Sequence, residues 1–165
     1  MKVCYSGTFD PITIGHLDII ERASNLYDEV VVLIMRNSAK HCLFSEEQRK
    51  AMIEQSVAGL PNADRIEVKI GTGLTVEYAA SLGCDAIIRG IRAVSDYEYE
   101  LLQATANMHL NEKIETLLLI ARPEYSFLSS SVVKEIGINH GDITGMVPEV
   151  IAERVSAALS SMANQ

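Results

Sequence analysis

Five short stretches hold most of the side chains able to do chemistry in this chain. The first is GTFDPITIGH over residues 7–16, where a glycine turn carries the Thr8 hydroxyl and leads to His16 at the start of an amphipathic segment. A phosphate-bearing ligand suits such a junction, because the unpaired N–H groups of a helix start point outward and Gly7 permits close backbone approach. Thr8 offers a hydroxyl and an N–H, and His16 adds a side-chain donor. Asp10 would repel a polyphosphate, so its expected work is hydrogen bonding to turn backbone.

The second stretch brings Arg36, Lys40 and His41 ahead of a helix; Lys40 is either a solvated loop cation or a reach toward a transferring phosphoryl group. The third, residues 71–75, has two glycines and no charge, and is read as a turn capped by Thr75 or as a wall of a small-molecule pocket. In the fourth, Arg89, Gly90, Ile91 and Arg92 follow the apolar Ala86, Ile87 and Ile88. An arginine closing a buried strand needs an anionic partner, either Glu98 or Glu100 within the chain or a ligand. The fifth, residues 125–131, ends in three serines where one is enough to cap a helix, leaving spare hydroxyls and N–H groups for another anion.

Two anion sites and a nucleoside-sized pocket, with no carboxylate dyad, Ser-His-Asp set or metal-ligand cluster, suit phosphoryl or nucleotidyl transfer. Such reactions rest on positioning and charge stabilisation rather than on a covalent intermediate. Neither GxxxxGK[ST] nor GxGxxG occurs, which disfavours a P-loop kinase and a dinucleotide-dependent dehydrogenase.

Elements that could hold these stretches alternate along the chain. Near-continuous Val, Ile and Leu runs predict strands over 2–6, 29–35, 65–70, 85–89 and 115–121, the pattern of strands covered on both faces. Helical patterns fall between them. One has a stripe of Leu17, Ile20, Ala23 and Tyr27; the next is capped by Ser45 with Gln48 completing a capping box and Met52, Ile53, Val57 and Leu60 on its apolar side. A third runs over 75–82 to Gly83, and a fourth starts near Ser95, boxed by Glu98. Two more are expected over 130–136, ending at Gly137, and from Pro148. This alternation predicts an α/β fold, a Rossmann-like, doubly wound, five-stranded parallel sheet with helices on both faces, in a single domain over residues 1–165. Ligands in such folds sit beyond the C-terminal strand ends, where all five chemical stretches fall.

Composition sets the outer limits. The chain has 165 residues, 48% apolar and 22% charged, an ordinary globular balance. Its formal charge of −8 argues against a broad nucleic-acid surface, so an anionic ligand must meet local cations. The longest apolar runs, 30–35 and 117–121, are of strand length and exclude a membrane-spanning helix, and no secretory signal precedes the first strand. Cys4, Cys42 and Cys84 lack metal-ligand spacing and are read as reduced thiols; a cytoplasmic location follows as the expectation.

The motifs carry a resemblance. GTFDPITIGH resembles the TxGH form of the HxGH nucleotidyltransferase signature, and LSSSVVKE, residues 128–135, resembles the second signature of that superfamily. RGIRAVSDYEYE, residues 89–100, is similar to the arginine-rich motif of the bacterial phosphopantetheine adenylyltransferase family, and the likeness runs from Met1 to about Leu159. It implies adenylyl transfer from ATP to 4'-phosphopantetheine, giving dephospho-coenzyme A and pyrophosphate, the penultimate step of coenzyme A synthesis, with Mg2+ as cofactor and no metal ligand assigned to the protein. By motif position, Thr8, Phe9, His16, Gly90, Ile91, Arg92 and Glu100 would bind ATP, together with Tyr125, Ser126, Phe127, Leu128, Ser129, Ser130 and Ser131. Thr8, Lys40, Thr75 and Arg89 would bind the acceptor. His16, Lys40, Arg92 and Thr8 would act in catalysis, His16 with Lys40 and Arg92 stabilising charge at the α-phosphorus during in-line attack. The resemblance further implies a homohexamer, with no nucleic-acid or membrane partner.

Three positions depart from the pattern: Ser6 where proline is frequent, His41 where another basic or small residue is common, and Tyr125 where tryptophan is frequent. Two other readings stay open at this point. One is a superfamily member acting on nicotinate mononucleotide or an alcohol phosphate; the other is a non-catalytic nucleotide-binding module.

Overall fold

A computed structural model describes residues 1–36 and 41–163. Lys40, assigned above to the acceptor and to catalysis, lies outside the described residues. The strands are β1 (Lys2–Gly7), β2 (Glu29–Met35), β3 (Ile66–Gly71), β4 (Ala86–Ile91) and β5 (Glu115–Ile120). They form one five-stranded sheet in the order β3-β2-β1-β4-β5, every neighbouring pair parallel. The helices are α1 (Ile14–Leu26), α2 (Glu46–Val57), α3 (Thr75–Ser81), α4 (Val94–Leu110), α5 (Ser130–Ile138) and α6 (Glu149–Ala163).

Alternate residues of each strand face opposite sides, and both sides are covered. Val3, Tyr5, Val32, Ile34 and Ile88 pack with Ile20 of α1, Met52 and Ile53 of α2, and Val133, Ile151 and Leu159 of α5 and α6. Cys4, Val31, Leu33 and Ile87 pack on the other side with Val76 and Ala79 of α3. The doubly wound sheet expected from the apolar runs is thus the observed fold.

The sheet opens where the site is needed. β1 pairs with β2 as far as Gly7↔Ile34, but with β4 only as far as Tyr5↔Ile88. β4 continues beside β5 to Ile91↔Ile120. Beyond Tyr5 and Ile88 the two central strands therefore part, and β1 and β4 flank the point where the winding reverses, the usual crevice of open α/β sheets.

Helix starts differ in part from the sequence expectation. α2 carries the expected box, with Gln48 N–H to Ser45 Oγ at 3.2 Å and Ser45 N–H to Gln48 Oε1 at 2.9 Å. α4 begins one residue earlier than Ser95 and has no side-chain cap; the acid that serves its start is Asp96, which accepts the Arg92 N–H at 3.0 Å, and not Glu98. Thr75 is the first helical residue of α3 rather than its cap. α5 runs through Gly137, where a Cβ would lie 2.4 Å from Leu159 Cδ1, so the glycine serves contact with α6 and not termination. α6 starts at Glu149, just after Pro148.

Candidate active site

The glycine turn is built from inside. Gly7 has no room for a side chain because the Phe9 ring lies over it, with an ideal Cβ only 2.8 Å from Phe9 Cζ. Phe9 itself adopts φ 49°, and its ring meets Tyr5 at 5.3 Å and His16 at 5.1 Å, both edge to face. The requirement for glycine thus comes from packing of the turn on itself. Asp10, 2% exposed, accepts the N–H groups of Leu43 at 2.8 Å and Phe44 at 2.9 Å and the Lys134 ammonium at 3.1 Å. The carboxylate that would repel a polyphosphate is spent tying the turn to the segment before α2 and to α5.

α1 begins with a capping box whose second member is a histidine. Thr13 Oγ1 accepts the His16 N–H at 3.3 Å, and the Thr13 N–H donates to His16 Nδ1 at 3.0 Å. Since Nδ1 accepts, the proton of the neutral ring sits on Nε2. Burial, and then the Arg92 and Arg89 charges, lower the His16 pKa to about 4. His16 is therefore a neutral Nε2–H donor at pH 7, not a cation.

Arg89 lies in β4 as expected, and the strand runs two residues further than predicted, through Gly90 to Ile91. Of the two acids open as partners, Glu100 pairs with Arg89 in a two-pronged contact, Nε–Oε2 and Nη2–Oε1 both at 2.7 Å. The Arg89 Nη1 donates to the Ser6 carbonyl at 2.5 Å and to Ser6 Oγ at 3.1 Å. The serine standing where proline is frequent thus supplies a hydroxyl acceptor that proline lacks. Burial opposes the Arg89 charge, but the Glu100 bond and charge outweigh it, and its pKa is raised. Arg92 is held at the α4 start, Nε and Nη2 on Asp96 at 3.0 and 3.1 Å and Nη1 on the Leu128 carbonyl at 2.9 Å.

The serine run divides its work. Ser129 Oγ caps α5 through Val132 N–H at 3.1 Å, Ser130 Oγ donates to the Pro11 carbonyl at 2.8 Å, and Ser131 is exposed.

Between these groups lies a cavity of about 290 Å³, bounded by Gly7, Thr8, His16, Gly90, Arg92 and the Ser129–Ser131 start of α5, with Phe9, Glu100, Tyr125 and Leu128 also on its wall. A Cβ at Gly90 would meet nothing of the chain closer than 3.7 Å, so this glycine leaves space on the ligand side. A second cavity of about 80 Å³ adjoins it, lined by Thr75, Tyr99, Gln103 and Asn107, and shares Ser6 and Arg89 with the first. Of the residues expected at the acceptor, Thr8 lines the larger cavity, Thr75 the smaller and Arg89 both, whereas most of those expected at the nucleotide line the larger. Three do not line the larger chamber: Ile91 is buried at the end of β4, and Ser126 and Phe127 are exposed. Among the described residues, no group of three or more His, Cys, Asp or Glu side chains is placed to hold a metal ion.

Residues that the sequence reading passed over also shape the site. Arg49 is 3% exposed and bonds to the Thr8 carbonyl. Asp18, 7% exposed, holds Arg22 at 3.1 Å and Arg122 at 2.9 Å, bracing α1 against the end of β5. Arg49 stands in the polar run EEQRK, which resembles a solvated helix surface, whereas Asp18 stands alone between Leu17 and Ile19 with both its partners distant or a helical turn away.

A parallel sheet parted at its reversal point, with a TxGH turn and cations around a nucleoside-sized chamber, defines a nucleotidyltransferase. The sequence matches the cytidylyltransferase-like family over residues 4–136. Of solved structures, Plasmodium falciparum nicotinic acid mononucleotide adenylyltransferase complexed with NaAD has the same fold, with a TM-score of 0.68 at 17% identity, covering 93% of this chain and 94% of that one. Closer relations are seen in sequence. The phosphopantetheine adenylyltransferase of Bdellovibrio bacteriovorus is 50% identical over 149 residues, 90% of this chain and 91% of the relative. That of Thermotoga neapolitana is 49% identical over 151 residues, 91% and 92%. The chain belongs to the cytidylyltransferase-like family and, within it, to the phosphopantetheine adenylyltransferases.

Proposed function

We propose that this chain transfers the adenylyl group of ATP to 4'-phosphopantetheine, giving dephospho-coenzyme A and pyrophosphate. The observation that carries the reading is the pair of cavities sharing Ser6 and Arg89, which the proposal takes as a nucleotide space and an acceptor space meeting at one guanidinium. An acceptor phosphate oxygen attacks the α-phosphorus, the bond to pyrophosphate breaks, and no bond to the protein forms. His16 donates from Nε2 to the α-phosphate oxygen as charge builds there, Arg92 and Lys40 supply positive charge, and the α5 start with Ser129–Ser131 receives the departing phosphates. Arg89 and Thr75 meet the acceptor. Glu100 acts through Arg89, which it orients, and Phe9 offers backbone alone because its ring is buried.

Mg2+ at this site would be held by the nucleotide phosphates, where it neutralises charge, because the nearby Asp96 and Glu100 carboxylates are engaged by Arg92 and Arg89. The exposed Leu101, Leu102 and Met108 on α4 fit the subunit contact of a homohexamer. No helix among the described residues is long and apolar enough to cross a membrane; a cytoplasmic location is part of the proposal.

Pyrophosphate release from ATP and Mg2+ tests the reading, with 4'-phosphopantetheine, nicotinate mononucleotide and an alcohol phosphate as alternative acceptors. Turnover with the first alone is expected. Turnover with another acceptor, or ATP binding without turnover, would overturn it in favour of a different transferase or a binding module.

A further inference from the structure

Arg49 is a cation almost wholly removed from water in the first half of α2, 3% exposed, and its nearest carboxylate oxygen, Glu46 Oε1, stands 3.8 Å away on a side chain that is itself part-exposed. Burying a guanidinium costs several kcal/mol unless its donors are met. Here the main chain meets them: Nη1 donates to the Thr8 carbonyl at 2.7 Å and Nε to the Phe44 carbonyl at 3.1 Å. Arg49 therefore bridges the glycine turn after β1 and the segment leading into α2.

The Thr8 bond has a directional consequence. A trans peptide is planar, with its C=O and N–H antiparallel, and Asp10–Pro11 is the one cis bond among the described residues. Pinning the Thr8 carbonyl on Arg49 turns the Phe9 N–H the opposite way. Phe9 borders the large cavity, yet its ring is 2% exposed and lies over Gly7, so its backbone is what it can present there. The left-handed φ of 49° at Phe9 is held from the other side by that ring packing. Thr8 lines both the large cavity and a smaller one of about 170 Å³ that Arg49 also lines.

We propose that Arg49 is a positioning residue for adenylyl transfer, its guanidinium fork fixing the Thr8–Phe9 peptide so that the Phe9 N–H faces a phosphate oxygen of the nucleotide. This rests on the activity proposed above, so the unmodified chain is assayed first: no pyrophosphate from ATP and 4'-phosphopantetheine refutes the activity itself. With an active parent, Arg49→Lys and Arg49→Ala separate the roles. Lysine keeps the charge but cannot span both carbonyls as a fixed fork. Arg49→Lys is expected to lose about tenfold in kcat/KM for ATP, and Arg49→Ala about 10²-fold, near the lower bound for losing one aligned donor. KM for the acceptor should move by less than about threefold in either. Methylguanidinium added to Arg49→Ala should recover activity, whereas methylammonium should not. If Arg49→Ala does not fold, the lysine variant alone decides. Parent-like kinetics in Arg49→Lys, an effect on acceptor KM alone, or equal rescue by methylammonium would each overturn the proposal.

Discussion

The protonation state of His16 gives the sharpest test of the site. A histidine that titrates normally, near 6.5, would be about 90% protonated at pH 5.5; one at about 4 would be about 3% protonated at that pH. Burial is the main cause and Arg92 and Arg89 the lesser ones, so the shift belongs to the folded site and should vanish on unfolding. Protonation at Nδ1 would also set two donors, the ring and the Thr13 N–H, against each other across 3.0 Å. The ring carbon–proton resonance of His16, assigned by its loss in His16→Asn, should stay flat from pH 8 to 5.5 and move only near pH 4. Magnetic resonance is the better assay here, because the acceptor phosphate ionises in the same range as a normal histidine and would distort a rate profile. The linkage sign follows: with the folded pKa below the unfolded one, the unfolded chain binds the extra proton between pH 6.5 and 4, so His16 lowers stability as pH falls through that window. A midpoint between 6 and 7 in the folded protein would refute the neutral-donor assignment. Independently, His16→Ala should reduce turnover about 10²- to 10³-fold and, by leaving the Thr13 N–H without its Nδ1 acceptor, should also cost about 1–3 kcal/mol of stability.

Glu100→Gln replaces the two-pronged carboxylate on Arg89 by an amide; it should cost about 1–3 kcal/mol in urea unfolding, less than a fully buried pair because the Arg89 side chain is 27% exposed. Gly90→Ala should fold with a parent-like melting point, since the nearest atoms stand at 3.7 Å, yet weaken ATP binding at least about tenfold in calorimetry. Gly137→Ala should do the reverse, losing about 1–3 kcal/mol through the 2.4 Å approach to Leu159 while leaving KM for ATP unchanged.

The sheet and its helices were legible because burial on both faces writes itself as apolar runs, and β2 has the bounds its Val and Ile run predicted. Where the reading erred, local signals were ambiguous. The predicted fourth strand closes at Arg89, but β4 continues through Gly90 to Ile91 because β5 offers it a ladder to Ile120. The α1 start at Ile14 is set by a Thr13–His16 box, and histidine is not the residue usually sought in that slot. Asp10 was read correctly as a backbone acceptor, although its partners, Leu43 and Phe44, lie in a distant segment that no local pattern identifies. Arg49 was illegible for a related reason: in the run EEQRK it looks like one more charge on a wet face, and only the fold brings the Thr8 carbonyl to it.

These placements bear on how a chain of net charge −8 can receive a polyphosphate nucleotide. Long-range attraction is not available to it, and surface charges beyond about 8 Å are screened at physiological salt. What remains is local: Arg89 and Arg92 face the cavity from one strand end, and each is first neutralised and aimed by an acid of α4, Glu100 and Asp96. An arginine already paired costs less to bury, and its remaining donors keep a fixed direction, which favours orientation over raw attraction. Recognition built this way should depend weakly on salt. Raising NaCl from 50 to 300 mM is therefore expected to change KM for ATP by less than about threefold, measured at constant free Mg2+. A tenfold or larger rise would mean that exposed, unpaired cations govern capture of the nucleotide, and would move the weight of the site from β4 and α4 toward the segment that contains Lys40.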